Sequence, residues 1–262
     1  MAFVKTALTE RLRLGRDGTI LLGSLGTLSA LAWLSLWLVG RSPYGVLVHH
    51  HGLSVPHVAP SLFFLLFVVG WSVMTMAMML PTIFPLVTLF QTITRQRENR
   101  ALLVSLVVAG YVLTWVLFGV IVYVAALSGR WLIDSIPWVE RNSWLAAAIV
   151  LMAGAFQFTS LKYRCLEKCR SPFMFVTEHW RGRNDRSEAF GLGLRHGLFC
   201  VGCCWALMLL MFAVGVGNLG WMLVLAVVMT IEKNVRWGRR LSAPLGFALL
   251  AWGVAIVGFQ IL

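Results

Sequence analysis

The feature that most constrains this chain is a recurrence of apolar runs, each near the length needed to cross about 30 Å of hydrocarbon. They fall at approximately 20–40, 61–82, 101–127, 143–160, 189–216, 218–234 and 244–262. In hydrocarbon every backbone N–H and C=O must find its partner within the protein, which helices achieve segment by segment. The sequence therefore predicts an all-α, polytopic membrane helical bundle of about seven transmembrane helices, a single integral membrane domain over residues 1–262. Only 12% of the residues are charged and mean hydropathy is +0.82, whereas soluble domains carry about twice that charged fraction. The longest polar stretch, roughly Lys162–Glu188, is too short to bury a core of its own.

A net charge of +12 invites a nucleic-acid reading, but the basic residues lie in short segments between the apolar runs. That distribution is what membrane topology requires, and no nucleic-acid partner is expected. Lys5, Arg11, Arg13 and Arg16, three arginines around Arg95–Arg100, seven basic residues in Lys162–Arg186 and four in Lys233–Arg240 fall on one side. Arg41, Arg130 and Arg141 fall on the other. The imbalance places the N-terminus in the cytoplasm. Ile20 to Gly40 is long for a signal-peptide core and lacks a clear cleavage site, so it reads as a retained first helix.

The candidate chemistry is sulfur. In the fifth run, Cys200, Cys204, Met208 and Met211 follow i, i+4, i+8, i+11, which aligns four sulfurs along one helical stripe. Cys203 stands beside them, and His196 precedes Cys200 by one turn. Thiolates and thioethers are the donors that suit Cu(I) and other soft metals; buried free cysteine also serves as a small hydrophobe. In the second run Met74 and Met78 share a face, followed by Pro81 and Pro85, which are expected to bend or end the helix. These methionines are either soft ligands or adaptable core filling.

Cys165 and Cys169 share a helical face if their helix continues to Pro172. Their cytoplasmic placement disfavours a structural disulfide, while neighbouring lysine and arginine favour thiolates. Metal capture, redox activity and no role at all are open. Glu232 is the acid nearest membrane depth, where ionisable groups are costly and commonly functional. It either joins the metal site or sits solvated or paired at the interface. His49, His50, His51 and His57 lie in the first external segment, where histidine tracts bind metals in some proteins and are incidental in others.

Trp71-x2-Met74-x-Met76-Ala77-Met78-Met79-x-Pro81, Cys165-x3-Cys169-Arg170-x-Pro172, Gly202-Cys203-Cys204-Trp205-Ala206-Leu207-Met208 and Glu232-Lys233 together resemble a bacterial family of predicted metal-binding integral membrane proteins. The resemblance spans about Trp71 to Lys233 and implies metal binding in a bacterial inner membrane, without a settled biochemical role. The histidine tract lies outside its motifs.

The leading expectation is a metal-handling membrane protein that binds a soft transition metal, copper above others, between the second, fifth and sixth helices. Cys200, Cys203 and Cys204 form the thiolate core, Met74, Met78 and Met208 are soft partners, and Glu232 ligates or balances charge. Cys165 and Cys169 pass metal to or from the cytoplasmic face. Partners are the lipid bilayer and either a larger membrane complex or a metal-accepting protein. A thiol redox enzyme and a metal-free accessory subunit are the rival readings; the chain carries no Walker motif that would power transport by itself.

Overall fold

The structure is a computed structural model that describes residues 16–41, 59–134, 143–214 and 218–261. Its helices are α1 (Arg16–Arg41), α2 (Pro60–Ile93), α3 (Arg100–Asp134), α4 (Ser143–Phe156), α5 (Ser160–Arg170), α6 (Pro172–His179), α7 (Asp185–Val214), α8 (Leu219–Asn234) and α9 (Ser242–Ile261). A short 3₁₀ turn, Gly238–Leu241, precedes α9, and the described residues contain no strand. The all-helical expectation holds. His49–His51, His57 and the first 15 residues, which carry part of the orientation argument, lie outside the described residues.

Five helices are long and apolar enough to cross a membrane, and a sixth span results if one bent pair counts as a single crossing. The expected run at 143–160 is 14 residues in α4, and the chain then turns by 65° into α5. The run at 218–234 is the 16-residue α8. The first is cut short at the break that holds Gln157 and precedes Lys162, whereas the second matches its expected run to within a residue and ends with Glu232 and Lys233 buried. The outer surface is apolar, exposing Leu31, Ile121, Phe247 and Phe259 among many others.

Pro81 and Pro85 do not end α2, which continues through both to Ile93. Pro81 has no N–H for the carbonyl of Ala77, four residues earlier, and such a freed acceptor needs another donor. The Ser29 hydroxyl (3.1 Å) and Trp33 Nε1–H (3.0 Å), both from α1, donate to it. The proline is thus the point at which α1 is fastened to α2.

α7 lies at the centre, packing on α3, α4 and α5. Its first turn is fixed by Glu188, whose carboxylate accepts the backbone N–H groups of Arg181, Gly182, Arg183 and Asn184 at 2.7–3.4 Å. Next come Gly193 and Gly197, which let α3 approach at backbone distance. A Cβ on Gly193 would collide with the carbonyl of Val107, and one on Gly197 would stand 2.6 Å from Thr114 Oγ1. Gly193→Ala is expected to destabilise the bundle by about 1–3 kcal/mol through overpacking. Gly191, whose Cβ would meet nothing within 4 Å, is the control: Gly191→Ala should stabilise by about 0.5–1 kcal/mol. Thermal unfolding of the two variants in detergent checks the opposite signs.

Candidate metal centre

The glycine stripe of α7 continues into its cysteines: 193, 197, 200 and 204 are spaced i, i+4, i+7, i+11, so Cys200 and Cys204 also face α3. On α3 the matching stripe is Val107, Tyr111 and Thr114. Close approach therefore brings the buried Tyr111 hydroxyl to 3.0 Å from Cys200 Sγ and 3.3 Å from the carbonyl of Met79, to which it donates. All three α7 cysteines are buried, and the thiols of Cys203 and Cys204 donate to the Cys200 carbonyl at 3.1 and 2.9 Å. Cys169, at the end of α5, is in hydrogen-bond contact with Cys203. Cys165 packs over Gly202, where a Cβ would stand 2.7 Å from its sulfur. All five cysteines are free thiols.

The cation at this cluster comes from α8. Lys233 is buried, with Nζ 2.9 Å from Cys200 Sγ, 3.5 Å from Cys204 Sγ and 3.7 Å from Met79 Sδ. Met79 is thus a methionine whose sulfur reaches the cluster, while Met74, Met78 and Met208 are buried in the surrounding core. His196 is buried one turn before Cys200, 5.9 Å from Tyr111 between ring centroids, and its Nδ1 has no hydrogen-bond partner.

Glu232 points elsewhere. Its carboxylate accepts from Lys162 Nζ at 2.7 and 3.0 Å and from Ser242 Oγ at 2.6 Å, all buried. Lys162 also donates to Gln157, at the break between α4 and α5. Arg170 donates to the backbone carbonyls of Glu232, in the last turn of α8, and, at 2.8 Å, of Arg236 just beyond it, where a cation also suits the helix end. The end of α5 carrying Cys169 is thereby tied to the end of α8 carrying Lys233. Farther out, the Lys168 ammonium of α5, 2.8 Å away, holds the exposed Glu178 carboxyl of α6 below its ordinary range.

Among the described residues, no three His, Cys, Asp or Glu side chains converge as a metal-holding group. What converges is a mixed set, two cysteine sulfurs and a thioether around one ammonium. Sulfur donors of this kind suit soft metal ions and suit oxygen-seeking cations poorly.

Sequence reasoning did not single out Tyr111, Met79, Lys162 or Lys233 for the cluster. For Lys233 a signal existed. The buried face of α8 runs Met222, Leu225, Ala226, Met229, Glu232, Lys233, and this helical spacing carries the inward stripe through both charged residues. Tyr111 has no such signature, because its role depends on which helix lies opposite.

Fold and site together define a helical protein with a buried soft-donor cluster, a class suited to holding a thiophilic metal ion. The chain belongs to the PpoB2 copper chaperone family, whose model matches residues 68–256. That span contains the whole cluster, from Met79 to Lys233. Neither the curated proteins nor the solved structures gave a match to the chain.

Lys162→Met strands Glu232 as a buried charge and is expected to destabilise the protein by about 3–5 kcal/mol. Lys162→Met with Glu232→Gln should recover most of that loss. Thermal unfolding of the single and double variants measures both.

Proposed function

We propose that this protein is a multi-pass protein of the bacterial inner membrane that holds Cu(I) as cargo in the α7 sulfur cluster and delivers it to a metal-accepting protein. The observation that carries the proposal is the gathering of buried free thiols from α5 and α7 with the Met79 thioether from α2, in a member of a copper chaperone family. Thiolate and thioether donors retain Cu(I) while permitting exchange from one sulfur to the next. Cys200, Cys203 and Cys204 are the holding thiolates, and Met74, Met78 and Met208 form a soft lining around them. Cys169, touching Cys203 at the end of α5, takes cargo by ligand exchange and, with Cys165, leads it to the cytoplasmic face. Glu232 contributes as counter-charge to Lys162. The apolar exterior supports a hydrocarbon surrounding.

The test is anaerobic competition between purified protein and a chromophoric Cu(I) chelator. The protein should retain a stoichiometric amount of copper, and Cys200→Ser with Cys203→Ser and Cys204→Ser should abolish retention. Equal retention by this triple variant would sink the proposal.

The proposed topology keeps seven crossings, with α8 and the bent α4–α5 pair each traversing once, and the N-terminus in the cytoplasm. Reporter fusions at the two ends should then be active on opposite sides of the membrane. Activity on the same side would mean an even number of crossings.

A further inference from the structure

Where α8 passes into α9, the chain sets three arginines close together, Arg236, Arg239 and Arg240. With Tyr163 of α5, Trp237, and Ala243 in the first turn of α9, they line an open cavity of about 660 Å³. The turn that carries them is held from behind. Arg170 donates to the Arg236 carbonyl at 2.8 Å, the Gly238 N–H to the Val235 carbonyl at 3.0 Å, and the Arg240 N–H to the Trp237 carbonyl at 2.9 Å. Gly238 permits this close fold, since a Cβ there would collide with the Ile231 carbonyl. All three arginines are exposed, and none is in an ion pair among the described residues. Arg239 stands 5.1 Å from the centre of the Tyr163 ring, and no carboxylate lines the cavity. Like charges gathered on fixed backbone without a counter-ion favour an anion, and guanidinium forks match the paired oxygens of a phosphate.

We propose that this cavity binds the headgroup of an anionic glycerophospholipid, the arginines holding its phosphate while an acyl chain lies along α9. The inference rests on the membrane setting proposed above and is independent of the copper site. The place of the cavity favours lipid over other anions. The apolar span that includes α9 runs Gly238–Phe259, so Arg239 and Arg240 stand in its first turn, at the level of the phosphates in that setting. Trp237, 55% exposed, borders the cavity as an amphipathic ring does at a membrane interface. From Ala243 the same helical face continues through Phe247, Ala251 and Val254, spaced i, i+4, i+8, i+11. Phe247 is 66% exposed and Val254 64%, so an apolar stripe leads straight out of a basic cavity. A small phosphate would fill the cavity and leave the stripe idle. An acidic protein would have to reach past hydrocarbon to use it. A diacyl phosphate diester uses both, and basic pockets on the cytoplasmic side of a membrane helix meet the leaflet surface where such lipids gather.

The experiment is native mass spectrometry of the full chain from micelles that contain phosphatidylglycerol or phosphatidylcholine with the same acyl chains. Wild type should retain phosphatidylglycerol in preference to phosphatidylcholine. Arg236→Gln, Arg239→Gln and Arg240→Gln together should cut that preference by about tenfold or more. A control removes equal charge elsewhere: Arg181→Gln, Arg183→Gln and Arg186→Gln, all exposed around the start of α7, should leave the preference unchanged. Size exclusion establishes that the variants are folded, and Arg239→Gln with Arg240→Gln carries the same test, with a smaller loss, if the triple variant does not purify. Equal retention of the two lipids by wild type overturns the proposal. So does an equal loss in the pocket and control variants, which marks a diffuse response to net charge. Displacement of the bound lipid by glycerol phosphate at matched concentration overturns it as well, because the apolar stripe then adds nothing and the ligand is a small phosphate. Cu(I) retention by the pocket variant should match wild type, so failure of the lipid site and failure of the copper reading are separate results.

Discussion

Two buried ammonium groups and one buried carboxylate cannot all be neutralised by one another. Glu232 stands beside Lys233 in sequence, yet its oxygens are engaged by Lys162 and Ser242. Lys233, one residue farther around the helix, turns into the sulfurs of α2 and α7. Ions out of water cost several kcal/mol each unless paired and hydrogen-bonded, so this partition decides how α8 is oriented. Rotating it away from α5 would strand Lys162. The same constraint holds α5 in place, since Lys162 begins that helix and Arg170, at its end, covers the last carbonyls of α8. Two oppositely charged neighbours on one short helix thus fix both the support of the site and its lining.

α7 depends on the opposite device, the removal of side chains. Gly193 and Gly197 bring α3 within backbone contact, and one turn later this proximity lets Tyr111 touch Cys200. A larger residue at either glycine would lift the phenol off the cluster before altering any sulfur. On the far side, Pro81 frees the carbonyl of Ala77, two residues before Met79, and α1 recovers it through Ser29 and Trp33. The cluster is therefore bounded by a glycine contact that draws α3 to α7, a proline contact that draws α1 to α2 and an ion pair that joins α5 to α8.

Much of this was legible in the sequence. Period and composition were enough for helices, for one sulfur stripe on α7, and for Cys165 and Cys169 on one short helix. Pattern alone could not say which neighbours those faces would meet. Met74 and Met78 were read as the ligand-bearing face of α2, yet it is Met79, on the adjoining face, whose sulfur comes to Lys233. The choice depends on where α8 docks, which no local spacing encodes. Glu232 drew attention as an acid at depth, and the Met222–Met229 stripe already placed Lys233 on the same buried face. Pro81 and Pro85 predict a bend or an end to α2, because local rules count the missing N–H and ignore a tertiary donor that replaces it.

The short helices are the remaining lesson, and they bear directly on function. At about 1.5 Å per residue, α4 is roughly 21 Å long and α8 roughly 24 Å, against hydrocarbon about 30 Å thick. A helix of full length would carry its polar end out to water, where Lys162, Glu232 and Lys233 would be solvated and idle. Because these two stop early, their polar ends stay among other helices and must satisfy one another there. α4 hands on to α5 through a 65° turn that brings Lys162 inward, and α8 ends where Glu232 and Lys233 are both buried. In the proposed membrane setting, the deficit in length is what allows charge to be placed beside the thiols at all. A chain of uniformly long spans with the same cysteines would have sulfur in its core but nothing to balance the charge that thiolates bring with them.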